Sequence, residues 1–587
     1  MKLVKLLLSF YLVLFFFGAA FATDRYFDST ATGCSSPSDT DYSPVTRTCG
    51  AGGSFIYSTP QGASDAASAG DTVYLRGSYN AGSNVALDVK SGSSGSPITY
   101  SNYNGETVTL QSTNDGTFTQ GVIELNSKSY VTINGLTIVG GSYGIEVYPS
   151  GSNLVFTNNN IYNSWDSCFV GYGANTVTFT GNEVHDCNVL NEPLGAYQGH
   201  GGSWGAGVTF NSGVHHITAS GNIVYNSRGE GMSCYGGWGG QSDDVTFDGN
   251  FVSDSNTGNI YIDGCENMTV KNNMVWLSED GENRSCDPTY GCGQASANTN
   301  GISFSVEDYG GTSFSDDGLK ILNNIIVNGS TCIKGWWDDV DINWDNITIA
   351  NNTCIGVDGG ISLNPSGSLS NVRVKNNLID GCCDGGGYFV YQSKTGTNVV
   401  IANNDYYGSG GWAFGVTEYF TLGSWESASG DSNSVTSNPL LVDDTVIPCR
   451  MWNGGCGIGS VDTTKYKLQS GSPMINQGAA LTTVSSVSYN NITVGTAGYF
   501  PVGAIVGVFS SASWALRGTA TVQAVNTSTN VVTLSSTPAG TISGDYMGIA
   551  TDYAGNTLTD RPEIGAYWWS GAAPAPPTNL FLKRRIQ

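Results

Sequence analysis

The phrase "GNIVYN", Gly221 to Asn226, returns with small changes as "GNEVHD" from Gly181, "GNFVSD" from Gly249, "NNMVWL" from Asn272 and "NNLIDG" from Asn376. A recurring phrase constrains a chain more than local propensity does, because each copy must bury its apolar face against the next. Aligned on the Asn beside the β run, the copies fall at Asn134, Asn159, Asn182, Asn222, Asn250, Asn273, Asn324, Asn352, Asn377 and Asn404. Most steps are 23 to 28 residues, one solenoid turn each, and the steps of 40 and 51 are a turn carrying an insertion.

Each unit reads as three short strands, for example "GIEVY", "LVFTNN" and "NIYN", with alternating apolar residues and without the three-and-four spacing of a helix. Three strands per turn bury one face of every strand in a continuous core. The expected fold is therefore all-β, a right-handed single-stranded parallel β-helix of about ten or more rungs. Asparagine tolerates left-handed backbone at a corner, so the Asn column is expected to be structural and not a site.

The segment "ASDAASAGDTVYLRGSYNAG" from Ala63 resembles the opening of secreted right-handed β-helix proteins of the pectate-lyase-like superfamily. The resemblance implies a short helix capping the coil. "LQSGSPMINQGAAL" from Leu468 and "DRPEIGAYWW" from Asp560 are similar to the segment that closes such proteins. The implied organisation is a signal peptide over 1–22, cap and first rungs over 23–125, and coil with closing segment over 126–480. A small β module is inserted over 484–552, followed by the closing motif over 553–570 and a Pro-rich tail over 571–587. The superfamily hosts lyases, hydrolases, epimerases and adhesins, so the resemblance speaks to fold and leaves chemistry open.

The leader "MKLVKLLLSFYLVLFFFGAAFA" has the basic start, apolar run and small-residue end of an export signal, so a secreted or cell-surface protein is expected. No later stretch is apolar enough for a membrane span. Removing Lys2 and Lys5 with the leader leaves 21 basic against 48 acidic residues, a surface that repels nucleic acid. An extracellular polysaccharide is the expected partner, with the chain acting as a monomer. An acidic glycan would need a bridging cation, whereas a neutral one would not. The 14 cysteines favour disulfides in an exported chain. Cys34 with Cys49, Cys286 with Cys292 and Cys449 with Cys456 flank short loops and are the expected pairs. Cys168 and Cys234 occupy apolar strand positions and read as buried thiols.

Outward residues of successive rungs line up, and the first-strand column reads Asp166, then Arg228 and Glu230, Tyr261 and Asp263, Glu307 and Asp308, then Trp336 to Asp339. Insertions from Cys187 and Ser278 frame it, and solenoids place function in such loops. Glu230 and Asp263, one rung apart in this register, are candidates for a carboxyl pair at the 5 to 9.5 Å separations of glycosidases, with Asp166 as an alternative partner. Elimination instead needs a cation to neutralise a uronate, for which Arg228 is the candidate, and a base, for which His200 or Tyr235 is. The catalytic candidates are thus His200, Arg228, Glu230 and Asp263. Trp204, Trp238, Trp336 and Trp337 offer flat faces to sugars, joined by Asp166, Tyr235 and Tyr261 as substrate contacts. Asp338, Asp339 and Asp341 in "WWDDVDINWDN" supply oxygens that suit Ca²⁺ without EF-hand spacing, and no other cofactor is implied. A glycan lyase, hydrolase or epimerase and a non-catalytic adhesion protein both remain open.

Overall fold

The computed structural model describes residues 22–114, 118–188, 205–237, 240–278, 299–307, 314–336, 343–383, 387–449, 451, 457–558 and 561–567. It also gives the backbone of the hairpin strands Cys286–Asp287 and Gly291–Cys292. A helix, Pro60–Ala66, caps the start of the coil, begun by the Thr59 side chain accepting from the Gly62 amide and by Pro at its first turn. Beyond it the chain winds into three walls. Tyr143–Val147, Gly151–Thr157 and Asn160–Tyr162 form one rung, and each pairs in parallel with its equivalent in the next rung.

The first wall is a thirteen-stranded sheet, parallel apart from its last strand, Thr417–Tyr419. The second and third walls join into one 27-stranded sheet, because the long strand Thr72–Asn80 pairs with Ile98–Asn102 at one end and Val108–Ser112 at the other. Inward residues form a continuous core, and one register alone runs Leu87, Ile123, Ile145, Phe169, Val208, Met232, Ile260, Ile302 and Ile333.

Two consecutive residues divide the work at the repeated corner. The first, Gly or Asn, takes the left-handed conformation: Asn158, Gly181, Gly221, Gly249, Asn272, Asn323, Asn351, Asn376 and Asn403 all have φ between 54° and 65°. The second is a buried Asn whose Nδ2 donates to the Oδ1 of the next, in an unbroken series from Asn159 through Asn182, Asn222, Asn250, Asn273, Asn324, Asn352 and Asn377 to Asn404. Left-handed tolerance thus belongs to the residue before the ladder, correcting the sequence reading. Asn134 also lies off it: Leu136 holds the equivalent place, and Asn134 pairs with Asn158 at the surface.

The disulfide Cys34–Cys49 is present as expected, but Cys168 and Cys234 are not thiols. Cys168 joins Cys187 across the core from two walls of one coil, and Cys234 of the first wall joins Cys265 of the second wall one coil on. Cys332–Cys354 and Cys382–Cys383 are also bonded. Cys449 is disulfide-bonded, with its expected partner Cys456 outside the described residues, as are the side chains of Cys286 and Cys292. No helix among the described residues is long and apolar enough to cross a membrane.

The module near the C-terminus is a closed antiparallel barrel of six strands, from Thr482–Ser488 to Tyr546–Ile549, whose core includes Leu322 and Ala350 of the second wall. The closing segment, with Tyr466, Leu468, Met474, Ile564 and Tyr567, covers the outward face of the third wall over Phe251, Met274, Trp276 and Ile325.

Replacing Asn273 by Ala would leave the buried Asn250 backbone amide without its acceptor and would take one hydrogen bond each from the Asn250 side chain, the Phe247 carbonyl and the Asn324 Oδ1. At about 1–3 kcal/mol for a buried group left unmade, with the three lost bonds added, the loss exceeds about 3 kcal/mol. Thermal unfolding should show a clear fall in Tm for Asn273→Ala and almost none for the surface change Asn134→Ala.

Candidate functional site

The first wall is the face where the outward columns carry chemistry. Its central column runs Asp88, Glu124, Glu146, Val170, Thr209, Ser233, Tyr261, Ser303, Lys334 and Ser362. At the strand ends a second column runs Tyr172, Asn211, Tyr235, Asp263 and Ser305, with Trp336 directly after its strand. A third, at the strand starts, includes Tyr143, Ser167 and Glu230.

This separates residues that the sequence placed in one column. Glu230 lies two positions before Met232, whereas Asp263 aligns with Tyr235, five residues further along. At about 3.3 Å per residue the two carboxyls sit at opposite edges of the wall, about 16 Å apart along the strand, and do not form a glycosidase pair. Glu230 is buried and accepts from the Thr257 hydroxyl at 3.1 Å. Arg228 is buried in the corner before it, where burial draws its guanidinium below the usual value. The neighbouring glycines are steric necessities, since a Cβ on Gly229 would lie 2.0 Å from the Gly205 carbonyl oxygen.

Tyr235, Tyr261, Asp263 and Trp336 do come together. The Tyr261 phenol donates to Glu307 Oε1 at 2.6 Å, and the Glu307 amide donates to Asp263 Oδ1 at 2.8 Å. Tyr261 stacks on Trp336 with centroids 6.5 Å apart, and meets Tyr235 edge-on at 5.7 Å. Burial, together with Asp263 and Glu307, pushes the Tyr261 phenol far above its usual value and so keeps it protonated as a donor.

Asp166 belongs to another group, one whose remaining members sequence reasoning missed. Its amide donates to the Ser142 carbonyl, and its Oδ1 accepts from Ser167 Oγ at 3.1 Å. Gly205 lies against that carboxyl, where a Cβ would sit 2.8 Å from Oδ1. Burial raises Asp166 to about 6. One rung away Glu146 is raised to about 7, first by burial and then by the charges of Glu124 and Asp166, against a lowering hydrogen bond from the Gly121 backbone. Burial raises the phenols of Tyr143 and Tyr172, and the charges of Asp166 and Glu146 add to the effect on both. The outward position of Glu146 within "GIEVY" was legible from strand alternation. Its charge environment comes from rungs twenty or more residues away.

Of the other candidates, His200, Trp204, Trp238, Trp337, Asp338, Asp339 and Asp341 lie outside the described residues. Among the described residues three potential metal ligands converge only at Asp39, Asp41 and Cys49, where the sulfur is committed to the disulfide. His185 and His216 stand on different walls, as expected, and His185 is sandwiched between Tyr162 and Tyr225 at 4.8 and 4.9 Å.

Wall pairing, corner ladder and closed core define a right-handed parallel β-helix repeat protein. A family model described as "Right handed beta helix region" matches residues 67–239. The chain is 27% identical to the uncharacterized protein YwoF of Bacillus subtilis (strain 168), over a stretch covering 37% of this chain and 52% of that relative's length. Among solved structures it is similar to pectate lyase Pel9A, at 14% identity and a TM-score of 0.41, covering 80% of this chain and 94% of that one. It is also similar to XylC in complex with xylose, at 10% identity and a TM-score of 0.44, covering 93% and 98%.

Asp166 and Glu146 hold protons in the folded chain above the ordinary 3.8 and 4.5, where the unfolded chain has already released them. Their contribution to stability therefore falls as pH rises from about 4 to about 7, and the penalty is complete above pH 7. Asp166→Asn and Glu146→Gln should each raise Tm at pH 8 and leave it little changed at pH 4.

Proposed function

We propose that the protein is a secreted, polysaccharide-cleaving β-helix whose first wall binds a glycan chain and whose Glu146 and Asp166 perform acid–base hydrolysis. The observation that carries this reading is that burial raises two carboxyls on adjacent rungs of the outward face, Glu146 to about 7 and Asp166 to about 6, with Asp166 among the charges that act on Glu146. Two carboxyls whose environments separate their affinities for a proton are the arrangement that glycosidic hydrolysis uses. Between these values Glu146 keeps its proton and is the acid for the leaving oxygen. Asp166 is ionised and acts as base on a water or as nucleophile. Tyr143 and Tyr172 hold hydroxyls beside both.

Four rungs separate Glu146 from Tyr261 in the central column, about 19 Å at the usual strand spacing. That length accommodates several sugar rings, with the half-buried Tyr235 and Trp336 beside the buried Tyr261 as an aromatic wall. The disulfides fit an oxidising, extracellular setting.

The reading is tested with purified protein against neutral and acidic polysaccharides, following reducing ends and the ultraviolet absorbance of unsaturated products. New reducing ends without that absorbance are expected, with a rate that peaks between about pH 6 and 7. Glu146→Gln and Asp166→Asn should each lower kcat by about 10²- to 10⁴-fold. An unsaturated product, or glycan binding without turnover, would overturn it in favour of a lyase or a binding protein respectively.

A further inference from the structure

Where the barrel rests on the second wall it leaves a cleft of about 470 Å³, a size typical of small-ligand sites. The charge of this cleft is opposite to that of the protein. The chain carries a formal −25, yet two cations, Arg373 and Lys375, line the cleft and no carboxylate does. They stand two residues apart on the strand Arg373–Lys375, on the same outward side. The Arg373 guanidinium donates to the Asn398 carbonyl and Oδ1 and lies over the Tyr499 ring at 4.9 Å. Lys375 Nζ donates to the Ala480 carbonyl at 3.0 Å. Neither is ion-paired with a carboxylate among the described residues, and burial holds both below their usual values, with Arg373 adding to the effect on Lys375. Buried cations are ordinarily paired, so two adjacent ones facing an open cleft leave negative charge wanting.

The rest of the cleft favours a sugar over a bare inorganic anion. Trp514 stacks on Tyr546 with centroids 4.5 Å apart and carries the Arg561 guanidinium over its ring at 4.7 Å, and Trp514 and Tyr546 both line the cleft. Trp514 is held at φ +59°, a left-handed conformation that a bulky side chain seldom adopts and that marks a position fixed by its surroundings. Thr482, Thr483 and Thr496 add hydroxyls. Aromatic surface, hydroxyl partners and a cation pair are the separate requirements of a pyranose ring that carries an acidic group.

We infer that this cleft is a second glycan site, distinct from the first wall, that binds an acidic sugar unit through Arg373, Lys375 and the Trp514–Tyr546 pair. The acidic group is a uronate carboxylate or a sulfate ester, which these residues recognise alike. The cleft thereby lets a strongly acidic protein hold an acidic polymer without a bridging cation.

Titration calorimetry on the full chain, in chelator, would compare a uronate oligomer, a sulfated oligosaccharide and a neutral oligomer. At least one acidic ligand should bind roughly tenfold or more tightly than the neutral one, and which of them does so identifies the acidic group. Lys375→Met and Trp514→Ala should each weaken that binding by roughly tenfold while leaving turnover at the first wall unchanged. Lys375→Arg, which keeps the charge, should retain it. Trp514→Ala leaves both cations' contacts in place, so it still tests the site if Lys375→Met disturbs barrel docking. Equal binding of all three ligands, or acidic-ligand binding unaltered in Trp514→Ala with an intact Tm, would overturn the assignment. Binding lost on Glu146→Gln but kept on Trp514→Ala would place the acidic ligand on the first wall and overturn it as well.

Discussion

The buried amide ladder is the constraint on which the rest depends. A parallel coil must turn its chain at every corner, and each turn brings backbone N–H and C=O groups into a water-free interior. At one of the three corners a single buried Asn per rung answers this. Asn222, for example, gives Nδ2 to both the Phe179 carbonyl and Asn250 Oδ1, while its own Oδ1 accepts from the Asn182 amide and side chain. Because the donors and acceptors repeat without a gap, the ladder also fixes how each rung sits on the last. A slip of one residue would turn every strand's outward side chains into the core. The functional columns of the first wall are therefore consequences of the corner, although no ladder Asn faces them.

The three walls share one repeat and have different fates because different material lies against them. The third wall presents Phe251, Met274, Trp276 and Ile325 outward, and the closing segment buries them. The second presents Leu322, Ala350, Arg373 and Lys375, and the barrel packs on the apolar pair while its edge leaves the cations facing the cleft. The first wall presents carboxyls, hydroxyls and tyrosines, a composition that suits a polar polymer better than another layer of core. Alternation along each strand supplies a core on one side, and what the other side carries decides whether a wall becomes an interface or a site.

How much of this could be read in the chain follows from the range of each determinant. The repeat, its three strands and its corner are local, so "GNIVYN" discloses them. The division of labour between Gly221 and Asn222 is not local, because the ladder bond joins residues 28 to 40 positions away. Cys168 and Cys234 were legible as buried positions. That each faces a second cysteine across the coil depends on how many residues span the corner. Glu230 and Asp263 were misjudged for the same reason: counting from the corner does not say where the strand begins. Tyr235, Tyr261 and Trp336, named from the sequence as separate substrate contacts, are brought together by the stacking of successive rungs.

Burial is the first cause of the raised Glu146, and rung spacing adds the second, the fixed charge of Glu124. Asp88, Glu124 and Glu146 occupy one register in three successive strands, and backbone pairing holds those strands about 4.8 Å apart whatever the side chains prefer. Like charges in such a column cannot move apart, so each must be answered in place. Lys128 reaches Asp88 at 3.2 Å, and Asn126 donates to Glu124 at 2.6 Å. Glu146, with Glu124 on one side and Asp166 nearby, is answered by retaining its proton. The second wall shows the inverse case, with Arg373 and Lys375 held close by the same regular backbone and answered by carbonyl oxygens. A coil too stiff to relax its columns converts a fixed spacing into a fixed charge state: carboxyls displaced toward neutrality suit acid–base chemistry, and cations held without a carboxylate partner suit anion recognition.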